Sequence, residues 1–182
     1  MESDFLKRRH ITRSSIRDDV LFVYIPVLVV LLAGLMVSGS DGWKGFFGPL
    51  WDLIKDPLNL GGLSALYLVG MLTTIIGFAI AIVAAFTLKS NYSSTLVIRE
   101  GQKLIEHGLY RVVRHPIYFG IILAVVGIPV AAASVRGVLV MLLLVPVFLN
   151  RIRMEEKLLV QAFGDEYRAY RKKTKKLIPF IY

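Results

Sequence analysis

The chain has 182 residues, of which 55% are hydrophobic, and its 22 lysines and arginines against 13 aspartates and glutamates give a net charge of +9. This composition excludes a disordered chain and an ordinary soluble domain, because soluble domains are about 45 to 50% apolar even when glycine is counted. Since the chain has no cysteine, it cannot form a disulfide, a thiolate nucleophile or a cysteine-ligated metal centre, so its chemistry depends on oxygen and nitrogen groups or on a cofactor.

The first half of the chain predicts two membrane spans. A bilayer core of about 30 Å needs about 20 apolar residues at helical rise, and Val20–Ser40 is uncharged for 21 residues. Pro57–Leu88 is uncharged for 32 residues, which is enough for one tilted span with an interfacial lead-in. Between the two spans, Trp43–Leu58 holds both tryptophans, and this pattern favours an amphipathic helix that lies in the interface as an aromatic anchor.

The second half predicts two further apolar helices. Pro116–Val135 gives 20 uncharged residues, and Gly137–Asn150 gives 14 more, which is short for a full span. We expect these two runs to form a hairpin that turns at residues 134–136, with the fourth helix continuing into the cytosol. Gly164 suits a helix stop. Small residues near one face of the second span predict close packing against a neighbouring helix, and they are Gly70, Gly77, Ala81 and Ala84.

The distribution of lysine and arginine predicts the orientation. Positive residues near short loops stay in the cytoplasm. Five precede the first span, five lie between the second and third, and nine follow the hairpin, whereas the other two connections hold two and one. Both termini and the middle loop are therefore expected on the cytoplasmic side of a plasma or inner membrane. The sequence thus predicts an all-α integral membrane protein with about four transmembrane helices, including a C-terminal helical hairpin.

Two stretches should place polar groups where the spans meet the cytosol, and the first is Ile98–Gly120. Proline disfavours the α-region for the residue before it and suits the first helical position, so the third span should begin at Pro116 with His115 extended. A helix start carries unpaired N–H groups that can seat a carboxylate or phosphate, and Arg114 would add a bidentate contact. On these residues alone, an anion site and an Arg–His pair that meets lipid phosphates are equally indicated.

The second stretch, Asn150–Pro179, leaves the fourth span. Glu155 and Glu156 are adjacent just beyond the membrane, with Arg151 one turn before Glu155. On an exposed helix, an Arg–Glu pair at this spacing would contribute only about 0.2 to 0.5 kcal/mol. The alternative is that one carboxylate faces the loop with His115 and holds a ligand ammonium, while Arg151 or Arg153 holds an anion.

Taken together, the two stretches resemble a known family. The chain is similar to the isoprenylcysteine carboxyl methyltransferase family and its prokaryotic relatives in two blocks, GLYRVVRHPIYFG and RIRMEEKLLVQAFGDEYRAYRKKTKKLIP. The likeness covers Ile98–Tyr182 and includes the RHPxY element, the paired glutamates, the FGxEYxxY element and a closing proline. Either block alone is a modest signal, but both in order around one hairpin are specific.

This resemblance implies an integral membrane enzyme that takes its methyl group from S-adenosylmethionine, bound by a cytosolic loop and by the helix after the hairpin. It implies a lipidic or prenylated acceptor, with a carboxylate favoured. Arg151 would face the acceptor and would be catalytic together with Glu155. Gln102 stands where many relatives have histidine. The implied cofactor-binding residues are Lys103, Leu104, Ile105, Gly108, Tyr110, Arg114, His115, Pro116, Tyr118, Glu155 and Glu156.

The residues themselves suit this cofactor. Its amino-acid end carries a carboxylate and an ammonium, so it needs an anion seat close to a carboxylate, as the helix start at His115 and Glu155 or Glu156 would provide. Methyl transfer to a carboxylate is an in-line displacement that needs no general base, so positioning can supply most of the rate.

Two alternative functions remain. An NADPH-dependent membrane reductase of the sterol or steroid type has a similar C-terminal end, but the paired glutamates would repel the extra phosphate of NADPH. A non-catalytic membrane scaffold leaves both blocks unexplained.

Residues 1–97 are expected to hold a cytosolic segment, two spans and the external segment, and residues 98–182 the methyltransferase-like region, in one integrated domain. We expect a monomer in the bilayer with a lipid-borne or prenylated small-molecule or protein substrate, no metal site and no nucleic-acid partner.

Overall fold

The computed structural model of the protein describes residues 44–55, 63–88 and 103–182. Several predictions fall wholly or partly outside these ranges. The first predicted span, Val20–Ser40, is not among the described residues. Of the predicted interfacial segment Trp43–Leu58, only residues 44–55 are described, and they form a helix.

Within these ranges the chain forms five α-helices, one 3₁₀ helix and no strand. In chain order the elements are α1 at residues 44–55, α2 at Ala65–Leu88, the 3₁₀ helix at Gly108–Arg111, α3 at Pro116–Ala131, α4 at Val135–Leu142 and α5 at Leu144–Lys173. A parallel β-bridge joins Val113 and Lys175. The prediction of a mainly helical protein is therefore confirmed for the described part of the chain.

Two of the described stretches are long and apolar enough to cross a membrane. One is α2, with 24 residues, and the other is Val135–Lys173, which joins α4 and α5; α3 is apolar but shorter. At 1.5 Å per residue, α2 is about 36 Å long, enough for a bilayer core of about 30 Å. Large apolar side chains along α2 are exposed, with Leu72 at 58% and Phe86 at 74%. A core helix of a soluble protein would bury such side chains, so their exposure indicates contact with lipid.

The described residues fall into two compact units. One contains residues 44–55, 63–82 and 117–145, and we call it the apolar unit. The other contains residues 83–88, 103–116 and 146–182, and we call it the site unit, because most of the predicted site residues lie there.

In the apolar unit, α2 and α3 pack through small residues. A Cβ atom added to Gly77 would collide with the backbone of Ala124, and one added to Gly120 would lie 2.6 Å from the backbone nitrogen of Ala81. Gly70 is equally crowded by α3. The close packing predicted for this face of the second span is therefore confirmed at these positions, because only residues without a large side chain let the two backbones approach.

The boundaries of the later helices follow local chemistry. Helix α3 ends at Ala131, and α4 begins at Val135 because the side chain of Ser134 caps it by accepting a hydrogen bond from the Gly137 N–H over 3.1 Å. The turn thus lies at residues 132–134, slightly before the predicted 134–136.

Gly164 interrupts α5 with φ 54° and ψ −123°. The predicted stop is confirmed as a break in the helix, after which α5 resumes and runs to Lys173. Residues 151–173 hold eleven charged side chains. Because a charged residue at the centre of a bilayer costs about 2.5 to 3.5 kcal/mol, this part of α5 lies outside the membrane core.

Candidate functional site

The candidate site is built around the start of α3. The helix begins at Pro116, as predicted from the sequence. The backbone N–H of Arg114 donates to the carbonyl of Lys175 over 2.8 Å, and the N–H of His115 donates to the carbonyl of Lys176 over 3.1 Å. These bonds tie the loop before α3 to the segment after α5, so the side chains at positions 114 and 115 project from a fixed backbone.

The side chain of Arg114 joins three parts of the site unit. Its Nε donates to Glu156 Oε1 over 2.8 Å, and its Nη1 donates to the carbonyls of Thr174 over 2.5 Å and Arg171 over 3.2 Å. Only 7% of the Arg114 side chain and 8% of the Glu156 side chain are exposed. Three of the five N–H donors of the guanidinium are therefore already used within the protein. The main role of Arg114 is to link the loop before α3 to α5, and we call this link the Arg114 bracket.

Glu156 lies at the centre of a group of basic side chains. Besides Arg114, its carboxylate lies 3.6 Å from His115 Nε2, 3.9 Å from Lys176 Nζ and 4.0 Å from Arg171 Nη2. Burial by itself would raise the pKa of Glu156, but the polar contacts and positive charges of His115 and Arg114 outweigh burial and lower that pKa to about 2. The carboxylate is therefore ionised at any physiological pH, and its charge is balanced within the protein.

Glu155 is placed differently, although it is the next residue. Its side chain is 35% exposed, and its Oε2 lies 3.9 Å from His115 Nδ1. The imidazole of His115, which is only 4% exposed, thus has one glutamate near each of its ring nitrogens. Both carboxylates thus lie near His115, whereas the sequence suggested this of one of them. Glu156 is buried, and solvent can reach Glu155.

Arg151 is buried, with 4% of the residue exposed. It lies on α5 one turn before Glu155, as the spacing predicted. The weak surface ion pair considered from the sequence does not describe it, because that estimate applies to an exposed helix. A buried guanidinium at this place is a strong local charge, and its predicted role towards the acceptor remains a prediction.

The other predicted site residues lie on the loop before α3 or on α3 itself. Residues 103–106 form no regular structure, with Lys103 exposed and the two apolar residues after it half-buried. Gly108 has φ 62° at the start of the 3₁₀ helix, a conformation that favours glycine. Tyr118 is half-buried on α3 in the apolar unit, so the structure does not group it with the others. Gln102 lies outside the described residues.

Comparison with known proteins places this site in a family. The family model of isoprenylcysteine carboxyl methyltransferases (ICMT) matches residues 68–161, which is 94 of the 182 residues. The match runs from α2 through the RHP element to the paired glutamates of α5. The chain belongs to this family.

Individual relatives of the ICMT family agree with this assignment. A rice protein (Oryza sativa subsp. indica) named "Probable protein-S-isoprenylcysteine O-methyltransferase" is 37% identical over 116 residues, which cover 62% of this chain and 61% of that protein. A methanethiol S-methyltransferase from Mycobacterium tuberculosis is 30% identical over 144 residues, which cover 76% of this chain and 56% of that protein.

The fold also matches a solved structure. The eukaryotic intramembrane Ras methyltransferase ICMT superposes with a TM-score of 0.66 at 21% identity, and the match covers 94% of this chain and 63% of that one. This likeness shows that the two proteins share a fold. The chain therefore spans between 56 and 63% of the length of the three proteins named here.

Two tyrosines of the FGxEYxxY element are part of the site unit, although the sequence assigned neither a role. Tyr170 is buried, and its hydroxyl donates to the carbonyl of Tyr110 over 2.6 Å. Tyr167 is buried as well and packs near it, with ring centroids 5.9 Å apart. The signal that could have found them was the element itself, which lies in the second block of the resemblance to the ICMT family.

Proposed function

We propose that this protein is a membrane methyltransferase that takes its methyl group from S-adenosylmethionine. The observation that carries this proposal is the convergence of His115 on Glu155 and Glu156, over 3.9 and 3.6 Å, in a chain of the ICMT family. The names of the relatives support methyl transfer as the reaction class. The two glutamates also favour a methyltransferase over an NADPH-dependent reductase, because they would repel the extra phosphate of NADPH.

The residues of the site unit fit the amino-acid end of this cofactor. An ammonium needs a carboxylate that it can reach, and Glu155 meets this requirement because its side chain is 35% exposed beside a buried imidazole. Glu156 is less suitable as a direct ligand, because it already pairs with Arg114 and is surrounded by further cations. We therefore assign Glu155 to the ammonium and Glu156 to holding the site together.

Bound S-adenosylmethionine would supply an activated methyl group on a sulfonium. The protein would hold the donor and acceptor in line and keep the acceptor close, and this positioning can account for much of the rate. We place Arg151 towards the acceptor, because it is a buried cation on α5, one turn before Glu155, at the position that the resemblance assigns to the acceptor side. A buried guanidinium suits a carboxylate acceptor, with which it can form a paired, charge-assisted contact.

A lipidic or prenylated carboxylate is the acceptor that these residues support best. A small thiol is the second candidate, because relatives that include the mycobacterial protein are named methanethiol S-methyltransferases. A thiol must lose its proton to attack, so a glutamate or His115 would have to serve as the general base, whereas a carboxylate acceptor needs none. Transfer of labelled methyl from S-adenosylmethionine to farnesylcysteine, compared with transfer to methanethiol, distinguishes the two candidates.

We further propose four membrane spans with both termini in the cytoplasm. Helix α3 has 16 residues, and the stretch from Val135 to Asn150, in which Arg136 is the only charged residue, also has 16, so each is about 24 Å long. A hairpin of this length reaches across most of a bilayer core of about 30 Å. It leaves the start of α3 and the charged part of α5 at the same cytoplasmic surface, where a soluble cofactor is available.

Binding of S-adenosylhomocysteine to the purified protein tests the proposed function. We expect this product to raise the melting temperature in detergent, whereas NADPH should not, because a ligand at 100 times its Kd stabilises by about 2.7 kcal/mol. Glu155→Gln should reduce the stabilisation, since the amide cannot balance an ammonium. Stabilisation by NADPH and none by S-adenosylhomocysteine would contradict the proposal.

A further inference from the structure

The hydroxyl group of Tyr167 is the starting point of a further inference. Tyr167 is 1% exposed and is among the largest fully buried side chains of the described residues. Its hydroxyl has no hydrogen-bond partner in the structure of these residues. Buried polar groups are nearly always paired, so an unpaired one calls for an explanation such as a bound ligand or water.

Tyr170, three residues later, shows what a structural tyrosine looks like in this unit. It is buried to nearly the same degree, at 3% exposed, and its hydroxyl donates to the Tyr110 carbonyl over 2.6 Å. That bond ties α5 to the 3₁₀ helix before α3. The two tyrosines therefore share residue type, helix and burial, but only the hydroxyl of Tyr170 has a partner within the protein.

The charges that act on the Tyr167 hydroxyl are those of the candidate site. Burial raises the pKa of Tyr167 most, the charges of Glu156 and Glu155 raise it further, and Arg114 opposes them. These three side chains are the inward carboxylate, the reachable carboxylate and the arginine bracket described above. The hydroxyl thus lies in their field and remains protonated at neutral pH, so it is available as a hydrogen-bond donor.

We propose that Tyr167 is a cofactor-binding residue whose hydroxyl donates a hydrogen bond to the carboxylate of the amino-acid end of the methyl donor. This inference rests on the proposed function and adds a residue to the same site. The carboxylate and ammonium of an amino acid are attached to one carbon, so a donor near Glu155 meets the carboxylate when Glu155 holds the ammonium. Arg114, the arginine that the sequence suggested for this carboxylate, is already bound to Glu156 and two carbonyls.

Matched phenylalanine substitutions of the two tyrosines test the inference. For Tyr167→Phe we expect the Kd of S-adenosylhomocysteine to rise about tenfold or more, because a hydrogen bond to a charged group is lost. The melting temperature without ligand should stay the same or rise, since an unpaired buried hydroxyl is removed. For Tyr170→Phe we expect the opposite result, with a lower melting temperature and a Kd within twofold of wild type.

The measurements are calorimetric Kd values and thermal unfolding of the full chain in detergent. If wild-type protein binds S-adenosylhomocysteine and Tyr167→Phe binds it within twofold as tightly, the inference is wrong while the proposed function stands. If wild-type protein does not bind it at all, the proposed function fails, and the inference fails with it.

A second ligand tests the part of the cofactor that Tyr167 meets. Methylthioadenosine has the nucleoside and the sulfur but lacks the amino-acid carboxylate and ammonium. If the hydroxyl binds the carboxylate, Tyr167→Phe and wild type should bind methylthioadenosine equally in competition with a labelled ligand. If Tyr167→Phe loses affinity equally for both ligands, Tyr167 binds the nucleoside half of the cofactor, and the assignment to the amino-acid end is wrong.

Discussion

The buried pair of Arg114 and Glu156 predicts a pH-dependent stability that a single substitution can reveal. Glu156→Gln keeps the shape of the side chain and removes its charge. The pKa of Glu156 falls from an ordinary value of 4.5 to about 2 in the folded protein. At about 1.4 kcal/mol for each tenfold change in proton affinity, this corresponds to about 3 kcal/mol of stability.

An independent estimate gives a similar value. Both side chains of the pair are more than nine-tenths buried, so screening by solvent does not reduce the interaction to that of a surface ion pair. Removal of one partner from a buried pair costs about 3 to 5 kcal/mol, because the other charge is left without compensation. For a chain of this size, about 3 kcal/mol is equivalent to roughly 6 to 12 °C in melting temperature.

The sign of the pH dependence follows from the depressed pKa. The stabilisation by Glu156 is fully present above the pKa of the unfolded chain, near 4.5, and is lost as the pH falls through the folded value of about 2. The melting temperature of Glu156→Gln should therefore be well below that of wild type at pH 7, and the difference should shrink as the pH is lowered from about 5 towards 2.

Thermal unfolding in detergent across this pH range is the assay. Glu155→Gln is the matched control, because its carboxylate is on the next residue and is 35% exposed, so its substitution should change the melting temperature little. A deficit of Glu156→Gln that is equally large at pH 7 and at pH 3 would refute the electrostatic origin and would indicate a packing effect instead.

Three further predictions concern packing, backbone and chemistry. Gly120→Val should lower the melting temperature by overpacking, which typically costs about 1 to 3 kcal/mol, because the added carbon would lie 2.6 Å from the Ala81 nitrogen. Gly164→Ala should destabilise by about 1 to 2 kcal/mol because φ is 54°, although nothing lies within 4 Å of the added carbon, and denaturant or thermal unfolding will measure this change. Arg151→Ala should leave the Kd of S-adenosylhomocysteine within about twofold of wild type but abolish labelled methyl transfer. A large loss of affinity would instead indicate that Arg151 binds the cofactor.

Local chemistry made several features of this protein predictable. Proline fixes its own φ and restricts the backbone of the residue before it, so the start of α3 at Pro116 could be predicted from the sequence. Gly164 allows the positive φ that breaks α5. The apolar runs and the small residues at positions 70 and 77 predicted membrane-length helices in close contact, because lipid selects for both properties.

Only the tertiary structure decided how the site is divided between its residues. Neighbouring positions on a helix point about 100° apart, so one of Glu155 and Glu156 can be buried while the other is exposed, and the docking of α5 determines which. The bracket by Arg114 also depends on backbone carbonyls at positions 171 and 174, which any residue type supplies and which therefore leave no trace in the sequence. The sequence determined which groups carry the chemistry, since side-chain identity and local backbone preference are written residue by residue. Their partners lie 42 to 60 residues away and are set by the path of the chain, which no local pattern encodes.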